Sequence, residues 1–106
     1  MKTLWLDDIR DPAKFGFVGA TLVTTADEAI EHLKTGQYDF ASLDHDLTIE
    51  DTLGIPKGEK TGYTVVCWMD ENDCWPEKGV RVHSMNPSGK QRMEAVIYNY
   101  YGRNWR

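Results

Sequence analysis

The 106 residues carry 12 lysines and arginines against 17 aspartates and glutamates, a net charge of -5. That balance argues against gripping duplex nucleic acid by neutralising its phosphates, so an anionic ligand has to be held locally. With 41% hydrophobic residues the chain can bury a core, and its length predicts one domain over residues 1–106 with one site.

Thr3-Leu4-Trp5-Leu6 is a short apolar run stopped by Asp7-Asp8, and Ala20 to Thr25 is β-branched and bounded by Gly19, so both predict strands. Only a loop or helical turn, Ile9 to Val18, joins them. Thr25 followed three residues later by Glu28 is a capping box, with Ala26, Ala29, Ile30 and Leu33 on one face and Gly36 as the stop. Tyr38 to Leu43 predicts the third strand, and its nearly continuous apolar character suits a parallel sheet. Thr61 to about Asn72 follows helical spacing through Tyr63, Val66, Cys67 and either Met69 or Asp70, and Trp75-Pro76 ends it. Gly79 to Ser84 is the fourth strand. Asn86-Pro87 opens a last helix whose stripe is Met93, Val96, Ile97 and Tyr100.

This order links the later strands by right-handed crossovers and predicts an α/β fold, a small flavodoxin-like parallel sheet of strand order 2-1-3-4, truncated before a fifth strand. No apolar run approaches the ~18 residues that span a bilayer. The start MKTLWLDD also lacks a secretory signal, so the cytoplasm is the expected compartment, with no membrane partner. Cys67 and Cys74 form no zinc pattern and read as reduced structural thiols. The long loop Thr48 to Lys60 is a candidate lid.

Polar clusters follow three of the strands: Asp7-Asp8 the first, Asp44-His45-Asp46 the third, and His83-Ser84-Met85-Asn86 the fourth. Carboxyl ends of parallel strands line the crevice where ligands bind, at the point where strand order reverses. Capping of the next turn explains any one cluster, but not all three together. His45 and His83 on neighbouring strand ends could supply one base and one acid near neutral pH, as cleavage of a phosphodiester requires, with Asp44 and Asp46 fixing a tautomer. Asn86-Pro87-Ser88-Gly89-Lys90 starts a helix with free amides, a glycine that allows close approach and a lysine, a candidate phosphate seat that Arg10, Lys57 and Lys60 could supplement. Alternatively Asp7, Asp8 and Asp44 would hold Mg²⁺ or Mn²⁺ through hard oxygen ligands. His32, among Glu28, Glu31 and Lys34, reads as solvated surface.

With an acidic pair after the first strand, an Asp ending the third and a Ser ending the fourth, the chain resembles a response-regulator receiver domain. The lysine after a fifth strand is missing, which tells against aspartyl phosphorylation. The segments LWLDDIRDP, SLDHDL, TGYTVVCWM and VRVHSMNPSGKQRM resemble more closely the cyclic-phosphate processing receiver-like domains, over nearly the whole chain. That resemblance implies a hydrolase or binder acting on cyclic phosphates of nucleotides or RNA ends, its pocket lined by Asp7, Asp8, Asp44, His45, Asp46, His83, Ser84 and Asn86. The leading expectation is a cyclic-phosphate phosphoesterase with His45 and His83 as the acid and base pair. The alternatives are a non-catalytic cyclic-nucleotide-binding module and a degenerate signalling receiver. A structural or adaptor domain using the aromatic end Tyr98, Tyr100, Tyr101 and Trp105 is a further reading.

Overall fold

The computed structural model describes residues 2–7, 12–16, 18–47 and 60–104. Most of the candidate lid, together with Asp8, Arg10, Lys57 and Trp105, lies outside the described residues. Four parallel strands, β1 (Thr3–Leu6), β2 (Thr21–Val23), β3 (Phe40–Leu43) and β4 (Val80–Val82), form one sheet in the order β2-β1-β3-β4. A 3-10 turn, Pro12–Phe15, follows β1, and the helices are α1 (Ala26–Leu33), α2 (Gly62–Asn72) and α3 (Pro87–Asn104). This is the small receiver-like parallel α/β sheet of order 2-1-3-4 that the sequence predicts, with strands two to four trimmed by one to three residues at their ends.

Pairing fixes which side chains share a face. Leu4 pairs with Ala41, which pairs with Val80, and Leu6, Leu43 and Val82 form the next row. These rows join Ala26, Ala29, Leu33, Val65, Val66, Met69, Met93 and Ile97 in one buried cluster, so all three helices pack on this face. Strand alternation sends Trp5, Ser42 and Arg81 to the other face, and Asp7, Asp44 and His83 one step further along it. The ladder continues into that last row: the Asp44 amide donates to Leu6 O at 2.9 Å and the His83 amide to Leu43 O at 3.0 Å.

Local chemistry explains the helix ends. Thr25 Oγ1 accepts the Glu28 amide at 3.1 Å, and Glu28 Oε1 reaches back to the Thr24 amide and both threonine hydroxyls. These bonds, the Thr24 hydroxyl first, hold the Glu28 carboxyl below its ordinary pKa. Thr61 caps α2 in a reciprocal box with Thr64. Gly62 opens α2 because the helix starts against the end of β3, where any Cβ would collide with the Asp44 carbonyl oxygen.

The buried stripe of α2 is Gly62, Val65, Val66 and Met69, with Tyr63 and Cys67 only half-buried and Asp70 exposed. Those four are a single helical stripe, i, i+3, i+4 and i+7, turned one position from the expected face because α2 packs between α1 and α3. His32 is not simple surface: its Nδ1 lies 2.8 Å from the Tyr38 hydroxyl. No helix among the described residues is long and apolar enough to cross a membrane.

Candidate functional site

The row formed by Asp7, Asp44 and His83 runs along the carboxyl edge on the face away from the helices, at the order reversal between β1 and β3. His83 Nε2–H donates to Asp7 Oδ2 at 3.0 Å, joining residues 76 apart in sequence. A carboxylate can only accept, so Nε2 carries a proton. Nδ1 lies 2.7 Å from Ser42 Oγ, which donates to the neutral ring or accepts from the charged one. Trp5 stacks on the same imidazole, centroids 4.1 Å apart and planes at 10°. The His83 side chain is 5% exposed and that of Asp7 0%, so both ring nitrogens are committed inside the protein.

His45 belongs to a different group. Asp46 Oδ1 accepts from His45 Nδ1–H at 2.7 Å and from Asn86 Nδ2 at 3.1 Å, tying the β3 exit to the start of α3. With Nδ1 protonated, the Nε2 lone pair lies 3.5 Å from Arg92 Nη2, in a side chain that is 9% exposed. The ring lies flat against Gly89, where a Cβ would overlap it. The close approach that this glycine permits is therefore already used by His45. Asn86 Oδ1 accepts the Gly89 amide at 3.0 Å as an N-cap, and Ser84 Oγ accepts the Asn86 amide at 3.0 Å. Asp44 Oδ1 accepts the His45 amide at 2.8 Å, which turns the chain at the strand end.

The structure thus brings together Asp7 with His83 and, separately, His45 with Asp46, Asn86 and Gly89. Asp44 stands between the two groups. Ser84 braces the loop, Ser88 is exposed and Lys90 is half-buried. Lys60 pairs with Asp27 at 2.7 Å, both exposed. Two participants escape sequence reasoning. Ser42 sits inside an apolar run, and only the parity of the strand, two residues before Asp44, points to its facing His83. Arg92 is three residues after Gly89, and that helical spacing is the signal that could have found it.

Among the described residues no group of three or more His, Cys, Asp or Glu side chains is arranged to hold a metal ion. Asp7 and Asp44 of the candidate metal set follow the paired strands β1 and β3 at neighbouring positions. Each already has one oxygen engaged, by the His83 ring and by the His45 amide respectively.

A parallel α/β sheet with an acidic and histidine-bearing carboxyl edge defines a receiver-like domain. Residues 2–99 match the family model described as the cyclic-phosphate processing receiver domain, and the chain belongs to that family. No curated protein and no solved structure matches it.

Proposed function

We propose that this protein is a phosphoesterase that opens a cyclic phosphate at a nucleotide or RNA end, at the carboxyl edge of the sheet. The observation that carries the reading is the double use of Asp46, which fixes His45 through Nδ1 and Asn86 through Nδ2. It leaves a lone pair on His45 Nε2, beside the Arg92 guanidinium, as a general base needs. His45 Nε2 takes a proton from water as its oxygen attacks phosphorus. One ring ester bond breaks, and the departing oxygen takes a proton from the acid partner.

His83 is that partner in this reading. Its proton sits on a nitrogen held by Asp7, so delivery requires that bond to loosen. Each role is worth roughly 10²- to 10⁴-fold. Asp7 and Asp44, with Asp8, would hold Mg²⁺ or Mn²⁺, which would supply charge neutralisation at the phosphate.

The test is turnover of nucleoside 2′,3′-cyclic phosphates and cyclic oligonucleotides at about pH 6 to 8, with and without EDTA. Turnover that falls at least about 10²-fold in His45→Ala, in a folded variant, is the expected result. Absence of turnover of every cyclic phosphate by the unaltered protein would overturn the reading.

The second reading is a module that binds a cyclic nucleotide without cleaving it. It is favoured by the sealed setting of His83, both of whose ring nitrogens are engaged. Calorimetric binding with the ligand recovered intact would select it.

A further inference from the structure

The start of α3 has largely spent its own donors. Asn86 Oδ1 accepts the Gly89 amide, Asn86 O accepts the Lys90 amide at 2.9 Å, and Pro87 has no N–H. The His45 ring covers the face of Gly89. A phosphate in front of His45 Nε2 therefore needs a counter-charge from elsewhere.

The helix supplies one from the same face. Arg92 lies three residues beyond Gly89, so both address the His45 ring. Its Nη2 is 3.5 Å from His45 Nε2, and its Cζ lies 5.5 Å from the Tyr63 ring centroid. Among the described residues no carboxylate pairs with this guanidinium, in a chain with 17 acidic side chains. A 3.5 Å contact to a ring nitrogen is too long to be strong, so a ligand oxygen displaces it at little cost.

We propose that Arg92 is the phosphate-binding residue of this site, gripping the two non-bridging oxygens of a cyclic phosphodiester and setting its phosphorus before His45 Nε2. The proposal rests on the reading of the edge as a cyclic-phosphate site. The planar fork of arginine matches two oxygens of one phosphate, and the Tyr63 face limits where the fork can point. A lysine is a point charge and reproduces only part of this.

The experiment titrates the unaltered protein, Arg92→Gln and Arg92→Lys with 2′,3′-cyclic AMP, following the His45 ring by NMR, and measures turnover alongside. Arg92 is exposed, so both variants should fold. The glutamine variant should bind roughly 10- to 100-fold more weakly, with KM rising more than kcat falls, and the lysine variant should lie between. Unchanged binding and KM in Arg92→Gln, while the unaltered protein binds or cleaves, would overturn the role of Arg92 alone.

If the unaltered protein neither binds nor cleaves the cyclic phosphate, the reading of the site fails, and inorganic phosphate becomes the probe. A His45 signal that phosphate shifts in the unaltered protein but not in Arg92→Gln would uphold the anion seat. A signal phosphate never moves, or moves equally in both, would overturn it.

Discussion

His83 and His45 each donate a ring N–H to an aspartate, at 3.0 Å to Asp7 and 2.7 Å to Asp46, but the second nitrogen meets different company. In His83 it meets the buried Ser42 hydroxyl beneath the Trp5 ring, on the face of the sheet opposite the helices. In His45, whose side chain is 9% exposed, it meets the guanidinium of the exposed Arg92, with the ring pressed on the first turn of a helix. The aspartate orients both rings. Whether a ring can exchange protons with a ligand is set by its second nitrogen, and strand parity and helix spacing decide what that nitrogen touches.

The largest expected effect breaks the buried half. Asp7→Ala leaves the His83 donor unpaired in the interior and should cost about 3 kcal/mol or more in a urea melt. Asp46→Ala, where the carboxylate is 18% exposed, should cost less, about 1 to 2 kcal/mol, in the same melt. Equal losses would erase the distinction between the two pairs.

Gly89→Ala is the next largest. The new methyl group collides with the His45 ring, so overpacking should cost about 1 to 3 kcal/mol. The ring should also leave Asp46, seen as a moved His45 NMR signal with His83 unmoved. Ser42→Ala strips His83 of its Nδ1 partner and should cost about 1 to 2 kcal/mol, with the His45 resonance unchanged.

Asn86→Ala sharpens the comparison most gently. It removes the cap of the Gly89 amide and one of two bonds to Asp46, for about 1 kcal/mol by thermal melting. Its effect should appear at His45 and not at His83. A disturbance at both rings would mean that the two groups act as one network.

Most of the fold was legible in the residues. Thr25 with Glu28 marked the start of α1, Asn86-Pro87 marked α3, and β1 falls where the run Thr3 to Leu6 stands. Such signals are local, since a cap or an apolar run acts on neighbours in the chain. The face of α2 is ambiguous in the sequence because Tyr63, Val66, Cys67 and Asp70 follow the same helical spacing as Gly62, Val65, Val66 and Met69, and only packing between α1 and α3 selects the second set.

The polar residues of the carboxyl edge were legible as a set, and their pairing was not. Asp44, His45 and Asp46 are consecutive, yet Asp44 shares a face with Asp7 while Asp46 bonds Asn86 across to α3.

Caps, apolar runs and the position of polar clusters at strand ends, all local properties, determined the parallel sheet of order 2-1-3-4 and which of its edges carries the aspartates and histidines. Tertiary structure alone decided that His83 would lie under Trp5 beside Ser42, and that His45 would lie on Gly89 before Arg92. Those contacts depend on register between strands and on the angle at which a helix leaves the sheet. Both are fixed by the packing of the whole core, to which no short segment holds the key.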